Sequence, residues 1–323
     1  MKDNHEELIK GKRFIVVGGA GFIGSHIVER LTSLGGAVLA LDDLSNGKLA
    51  NLAGLGRDVK ALQGDVRTFD FSSLGKLDGI FNEAARALLP SFEDPFTDLE
   101  VNAGGAARVL EYARRFDIKV IHASSGSVYG NPIKVPITES HPLNPISPYG
   151  VSKLASEFYC SLYYRDYGLD VVALRYFNVY GPRQTVSEEM GVIPIFVRRA
   201  LAKQRLRIFG DGKQTRDFLN VGDVVDANLL AYASKKAKGA IMNIGGGGLE
   251  ISIEELAKVV MRLCGYDAPM VYADPKPGDI RRLAADNTRA KDLIGYMPKV
   301  SLDDGLRQYI QYVKGQLSLQ KGD

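Results

Sequence analysis

Two cysteines and four histidines are all that this chain offers a disulfide framework or a soft metal ion. Cys160 and Cys264 fall in segments of helical periodicity without a CxxC partner, and His5, His26, His122 and His141 are scattered. Neither a structural disulfide nor a metal centre is therefore expected. An excess of one charge is missing too. The net charge is only +3 and the basic residues are spread along the chain, which excludes the continuous positive stripe that a nucleic acid requires. No apolar run approaches the length of a membrane span, and residues 1–10 are polar, without the apolar core of a secretory signal. The expectation is a cytoplasmic protein that touches no membrane.

What remains is the composition of a globular enzyme. The 323 residues exceed what one core ordinarily holds, and 45% hydrophobic with 24% charged residues is the balance of a folded soluble protein. From residue 14 onward, short apolar runs alternate with helical periodicity. A run at 14–17 precedes a helix carrying Phe22, Ile23, Ile27, Leu31 and Leu34, and a second run follows at 37–41. Further strands are expected at 59–62, 79–82, 119–123 and 171–176, with helices near 98–116 and 148–167 between the later ones. This alternation predicts an α/β fold, a Rossmann-like doubly wound parallel sheet covered on both faces. After Tyr176 the loops lengthen, as at Gly181-Pro182-Arg183 and Gly210-Asp211-Gly212, and a smaller C-terminal substrate-binding domain is expected there. A helix near 222–235 and the run 240–244 are placed back on the first sheet, and Gly245 to Gly248 are read as a flexible turn. The expected division is therefore 1–178 with 222–247, and 179–221 with 248–323.

Gly18-Gly19-Ala20-Gly21-Phe22-Ile23-Gly24 lies between the first strand and the first amphipathic helix. A tight turn there needs backbone free of Cβ atoms, and the helix N-terminus presents N–H groups and a positive dipole end to a pyrophosphate. Gly18, Gly21, Phe22, Ile23 and Gly24 are thus candidates for dinucleotide binding. Asp42, 18 residues beyond Gly24, closes the next run, where a carboxylate accepts from ribose hydroxyls and repels a 2′-phosphate, favouring NAD over NADP. Asp65, after the third run, is placed to meet the adenine edge or to serve as a turn residue.

Tyr149 and Lys153 are four apart on a helix opened by Pro148, so they share one face. With fifteen tyrosines in the chain the spacing alone is weak. Its position after a strand ending in Ala123-Ser124-Ser125 gives it weight, because parallel sheets bind ligands at the strand C-termini. A free phenol titrates near ~10, and bringing it to neutrality takes about 4 kcal/mol of preference for phenolate. A close ammonium and an oxidised nicotinamide are expected to supply it. A serine hydroxyl holds the same substrate oxygen for proton transfer.

Together these residues resemble the extended short-chain dehydrogenase/reductase family, in its NAD-dependent nucleotide-sugar epimerase and dehydratase branch. The likeness runs nearly end to end, through Ser124-Ser125-Gly126-Ser127-Val128-Tyr129-Gly130, Ser147-Pro148-Tyr149-Gly150-Val151-Ser152-Lys153, Leu174-Arg175-Tyr176-Phe177-Asn178-Val179-Tyr180-Gly181-Pro182-Arg183, Ile208-Phe209-Gly210-Asp211-Gly212, Thr215-Arg216-Asp217-Phe218 and Gly278-Asp279-Ile280-Arg281. The resemblance implies a tightly bound NAD, with Asn46, Val66, Ala84, Ala85, Lys153 and Tyr176 added to its wall, and Ser125, Tyr149 and Lys153 as the catalytic set. It implies a nucleotide-sugar substrate, a UDP-sugar, with Asn178 and Arg216 on the diphosphate, Val192 and Phe209 beside the base, and Arg281 or Lys276 approaching the phosphates. The implied reaction is 4-epimerisation through a transient 4-keto sugar.

Related dehydratases carry Asp-Glu where this chain has Gly126-Ser127, which argues against water elimination; a UDP-glucuronate decarboxylase is the weaker enzyme alternative. A catalytically inactive dinucleotide sensor is the non-enzyme alternative, disfavoured by the intact Ser125, Tyr149 and Lys153. Family likeness also implies a homodimer packed through the helices near 98–116 and 148–167. Val101, Val109 and Leu110 suit that interface and suit an internal core equally. One departure stands out: relatives commonly have His and an apolar residue where this chain has Asn82-Glu83. Glu83 is expected to pair with Arg86, or else to act as an additional acid/base.

Overall fold

The computed structural model describes residues 2–184, 191–275 and 280–319. Six strands of its main sheet come first along the chain: β1 (Arg13–Val17), β2 (Ala37–Asp42), β3 (Val59–Gln63), β4 (Gly79–Asn82), β5 (Lys119–Ser125) and β6 (Val171–Tyr176). Short strands follow, β7 (Val179–Tyr180), β8 (Arg207–Phe209), β9 (Thr215–Asp217) and β10 (Leu219–Asn220), before β11 (Ile241–Ile244) returns to the main sheet. The last three are β12 (Glu250–Ser252), β13 (Val271–Ala273) and β14 (Arg282–Leu283).

All seven strands of the main sheet run parallel in the order β11-β6-β5-β4-β1-β2-β3. The direction of winding reverses between β1 and β4, and the crevice outside their C-terminal ends is where doubly wound sheets take up dinucleotides. β1 reads Arg-Phe-Ile-Val-Val because it is covered on both sides. Phe14 and Val16 join the core under helices Phe22–Ser33 and Val221–Ala233, while Ile15 and Val17 join the core under Gly105–Phe116 and Pro148–Tyr167. Helix Thr288–Ile294 adds Ala290 and Ile294 to the first of these cores.

A third core gathers Ile193, Phe196 and Val197 with Leu256, Val260, Leu306 and Tyr309 from helices Val192–Leu201, Ile253–Cys264 and Leu302–Leu319. The small sheets β8–β13, β9 with β12 and β14, and β7–β10 stand beside it. No helix among the described residues is long and apolar enough to cross a membrane. Cys160 and Cys264 are both buried and unpaired.

Three sequence expectations are revised. The helix expected over 98–116 is not continuous: Pro95–Leu99 passes through a π-helical turn at Glu100–Gly104 into Gly105–Phe116. The widened turn accompanies the inward side chain of Asn102, bonded to Asp98 and Ser152. Val109 and Leu110 are fully buried in the internal core, with Val101 packed against it. The exposed apolar side chains nearby are instead Leu88, Phe92, Phe96, Val151 and Phe158. Finally, the turn at Gly245 and Gly246 is tightly packed. A Cβ on Gly246 would lie 2.1 Å from the Phe218 carbonyl oxygen, and one on Gly245 would lie 2.5 Å from the Ala285 methyl.

Candidate active site

The turn from β1 into helix Phe22–Ser33 is closed by its glycines. Gly18 has φ +79°, and a Cβ on it would lie 2.8 Å from the Ala84 nitrogen. A Cβ on Gly24 would come within 2.1 Å of the Gly18 carbonyl oxygen. The helix start at Gly21 has no side-chain cap, so its first N–H groups are left for a ligand. Asp42, at the end of β2, is buried. Its two carboxylate oxygens accept from the N–H groups of Ala20 at 3.0 Å and Leu44 at 2.9 Å. Burial raises its pKa while those bonds oppose the rise. Each oxygen keeps a lone pair, so the carboxylate is fixed in place and can still accept from a ribose. Gly47 lets it approach: a Cβ there would lie 2.4 Å from Asp42 Oδ1. This cradle fits the adenosine diphosphate half of NAD. Asp65 is held in a fork by Arg67, with contacts of 2.9 and 2.6 Å to one carboxylate oxygen, and Arg67 reaches on to Glu100 at 3.1 Å.

The chemistry-bearing side chains meet across β5 and the helix Pro148–Tyr167. Ser147 caps that helix by accepting from the Gly150 N–H at 3.1 Å, and Pro148 opens it. The cap and the helical spacing put Tyr149 and Lys153 on the face turned to the sheet. Lys153 is 1% exposed, donates to the Ala123 carbonyl at 2.8 Å, and lies 5.9 Å from the centre of the Tyr149 ring. The Tyr149 hydroxyl faces the Ser125 side chain, which acts on it to lower its pKa, while Ser125 Oγ donates to Ser127 Oγ at 3.1 Å. Ser125 Oγ also accepts from the Ser127 N–H at 3.1 Å, which fixes its rotamer at the strand end.

The electrostatics depart from the sequence argument. Burial dominates at Tyr149 and pushes the phenol up to about 12; the Ser125 side chain lowers it, and the charges of Asp98 and Glu83 add to the rise. Burial likewise brings Lys153 down to about 8, opposed by Glu83 and Asp98. The lysine alone therefore does not make Tyr149 a phenolate; the protein holds a phenol beside an ammonium whose charge is easily lost.

Several supports carried no sequence signal. Asp98, fully buried, accepts from Ser152 Oγ at 2.6 Å and from Asn102 at 2.9 Å, buttressing the catalytic helix one residue before Lys153. His122 spans Asn82 and Ser156, at 3.1 and 2.8 Å. Ser156 gives its own proton to the Lys153 carbonyl, so Nε2 of His122 is the donor and Nδ1 the acceptor. Burial drives its pKa down to about 3, and it is a neutral spacer.

Residues 14–245 match the NAD dependent epimerase/dehydratase family. The chain belongs to that family. A UDP-glucose 4-epimerase of Mycolicibacterium smegmatis is 39% identical over 94% of this chain and 98% of its own length. A UDP-glucose 4-epimerase from Thermotoga maritima, solved with UDP-glucose, is 39% identical with a TM-score of 0.88, covering 94% of this chain and 99% of that one. A UDP-N-acetylglucosamine 4-epimerase from Methanobrevibacter ruminantium M1, solved with UDP-N-acetylmuramic acid, is 34% identical with a TM-score of 0.91, over 95% and 99% of the two chains.

Within this family fold, Glu83 is the departure that the structure resolves, and not as expected. It accepts from the Tyr176 hydroxyl at 3.0 Å. Arg86 turns instead to Asp94, at 3.8 Å, and to the Pro90 carbonyl. Tyr176 in turn accepts from Asn228 at 2.8 Å. The reason is topological: β4 and β6 flank β5, so side chains at the ends of β4 and β6 can meet across it, whereas residue 86 lies in the loop leading to helix Leu88–Glu93.

On the other side of the crevice, Phe209 and Arg281 line one cavity of about 550 Å³ with Asp211, Gln214 and Pro275. Arg281 pairs with Asp211 at 2.7 Å, whose carboxyl it holds down to about 2. Arg216 donates to the Ile280 carbonyl at 2.7 Å, joining β9 to the segment that carries Arg281. Asn178 has φ +43° and donates to the Asp217 carbonyl at 3.1 Å. Val192 begins its helix against the third core. Asn178, Val192 and Arg216 do not line the cavity, and Lys276, with Gly278 and Asp279, lies outside the described residues.

Proposed function

We propose that the protein is an NAD-dependent 4-epimerase of a UDP-sugar. The observation that carries this reading is the Ser125–Tyr149–Lys153 constellation at the C-terminal edge of a dinucleotide-binding sheet. Tyr149 is a proton-exchange group within reach of a hydroxyl-holding serine, and both face the crevice beside the glycine turn. When bound, NAD supplies the reversible oxidation that makes the sugar C4 a ketone for part of the cycle. With its own proton first given up, Tyr149 as the phenolate takes the proton of the 4-hydroxyl and returns it after the sugar has presented its other face. Ser125 holds the oxygen by donating to it. Lys153 offers positive charge to the developing phenolate, which is worth several kcal/mol in a desolvated cleft.

Loss of water needs a second acid/base pair beside Ser125, and the residues that follow it are Gly126 and Ser127; this favours epimerisation over dehydration. A decarboxylase keeps the same oxidation step and is the reading that competes most directly. Relatives that are UDP-sugar 4-epimerases support uridine diphosphate as the handle. The cavity at Phe209 and Arg281 offers an aromatic face and a guanidinium fork for a base and a phosphate. We assign Arg216 and Asn178 to the diphosphate, Val192 to the base, and residues 179–221 with 248–323 to the substrate-gripping part. Asn46, Asp65, Val66, Ala84 and Ala85 are assigned to the cofactor wall.

The exposed Leu88, Phe92, Phe96, Val151 and Phe158 support a homodimer through the face carried by Leu88–Glu93, Pro95–Leu99 and Pro148–Tyr167. Two free, buried cysteines suit the reducing cytoplasm, where we place the enzyme.

Incubation of the purified protein with UDP-glucose, UDP-N-acetylglucosamine and UDP-glucuronate, with no reductant added, tests the proposal by NMR of the products. A C4-inverted sugar of unchanged mass is the expected result. Loss of carbon dioxide from the glucuronate substrate would install the decarboxylase reading instead.

A further inference from the structure

Glu83 lies where the two halves of the site adjoin. Its N–H donates to the Val17 carbonyl at 2.8 Å, which fixes its backbone in the crevice between β1 and β4. Its side chain runs the other way, to the Tyr176 hydroxyl at the end of β6. Because β5 lies between β4 and β6, the Glu83 and Tyr176 side chains together bridge two strand spacings, roughly 10 Å. They cross the end of β5, where Lys153 is bonded to the Ala123 carbonyl. Asn228 donates to the Tyr176 oxygen and leaves that hydroxyl to donate onward, so the network specifies an acceptor at Glu83. The residue is only partly buried, and its charge reaches both Tyr149 and Lys153.

We infer that Glu83 is a positioning residue for cofactor charge: its carboxylate offsets the Lys153 ammonium, so that the cleft takes up an oxidised, cationic nicotinamide beside a charged lysine. The inference rests on the reading of Tyr149 and Lys153 as the reactive pair. Two cations in one desolvated cleft repel each other, and a fixed anion between the strand ends relieves that repulsion. NAD⁺ and NADH share every feature except the ring and its charge. A loss of packing at residue 83 therefore weakens both alike, whereas a loss of counter-charge changes their ratio.

The decisive experiment equilibrates the full chain with mixtures of NAD⁺ and NADH, without sugar, and measures the ratio bound. Glu83→Gln keeps a hydrogen-bond acceptor for Tyr176 and removes the charge; the bound NAD⁺:NADH ratio is expected to fall about tenfold. Lys153→Met removes the opposing cation and is expected to raise the ratio by a similar factor. Tyr176→Phe keeps the carboxylate and is expected to keep the wild-type preference to within about threefold. In the wild type the ratio should also rise with pH between about 6 and 7.5. Burial places Glu83 at about 7, against the opposing bond from Tyr176 and the charge of Lys153. Of the other groups facing it, Lys153 begins to lose charge at the upper end of that interval, and Lys153→Met removes that contribution. Tyr149, pushed up to about 12, stays a phenol, and burial holds Tyr176 well above its ordinary value. Lys153 titrates at about 8, above the interval, with Asp98 acting on it from the far side.

A ratio unchanged in Glu83→Gln overturns the inference. If that variant does not fold, a wild-type ratio independent of pH overturns it equally. Because no sugar is present, failure of the epimerase reading does not alter this outcome. Epimerase activity together with an unmoved ratio would remove this inference alone.

Discussion

The ammonium of Lys153 donates to the carbonyl oxygen of Ala123 at 2.8 Å, tying the catalytic helix to β5 two residues before Ser125. The bond keeps the ammonium beside Tyr149. Lys153→Met should lower kcat by about 10²-fold or more and leave UDP affinity within about twofold, since the cavity at Phe209 and Arg281, which we propose for the uridine diphosphate, lies on other elements. The sign of the pH effect follows from burial, which brings the ammonium down to about 8. Turnover should therefore fall as pH rises through about 8, where the proton is lost. A pH–rate profile with no alkaline limb before pH 10 would remove Lys153 from that role.

Ser125 serves two partners from one oxygen. It acts on the Tyr149 hydroxyl, lowering its pKa, and accepts from the Ser127 N–H at 3.1 Å. Ser125→Ala should therefore cost both kcat, by about 10- to 100-fold, and the local cap, by about 1 kcal/mol. Ser125→Thr keeps the hydroxyl and should recover most of the rate. Steady-state kinetics and thermal denaturation of the two variants separate the effects; equal losses of rate in both would point to packing instead of the hydroxyl.

Asp42 uses both oxygens to hold the backbone of Ala20 and Leu44. Asn at this position has one acceptor and one donor group, so one N–H loses its partner, a cost of about 1–3 kcal/mol. It also removes the charge that repels a 2′-phosphate. Asp42→Asn should lower NAD affinity and shift the NAD:NADP preference toward NADP by about tenfold. Titration of the variant with both nucleotides checks the shift, and an unchanged preference would place the discrimination elsewhere.

The parts of the molecule legible in the sequence are those with local signals. The two-sided apolar run of β1, the glycines of the first turn and the four-residue spacing of Tyr149 and Lys153 each follow from geometry within a few residues. Even β11 was legible, because its apolar run has the length of a strand. The Asp98–Ser152 and Glu83–Tyr176 contacts are of another kind, with partners 54 and 93 positions apart. No periodicity relates them; helix packing brings the first pair together and sheet order the second. Pairing Glu83 with Arg86 assumed a partner nearby in sequence, and the strand order supplied a nearer one in space. The pKa of Tyr149 depends on the fold for a related reason. The four-residue spacing shows that an ammonium is near, but not how much water the fold removes from the phenol, and desolvation outweighs the neighbour.

The same distinction makes Glu157 and Arg175 the sharpest test of stability. Their side chains are 1% and 3% exposed, with Arg175 donating from Nε and Nη2 to the two oxygens of Glu157 at 2.8 and 2.5 Å. Arg175 Nη1 donates to the Tyr129 hydroxyl at 2.6 Å, which donates to Asn243 at 2.7 Å. Ser124, the neighbour of Ser125, donates to Glu157 as well. Every member of this network has a partner, so removing one leaves a buried charge exposed to nothing but low dielectric. Glu157→Ala should destabilise the fold by about 3–5 kcal/mol, and Arg175→Met by a comparable amount. The double variant Glu157→Met with Arg175→Met removes both charges and fills the space, and it should cost less than either single change. Urea denaturation of the three variants decides the matter. If the losses simply add, the two residues contribute separately and the ion pair is not what holds helix Pro148–Tyr167 to β6.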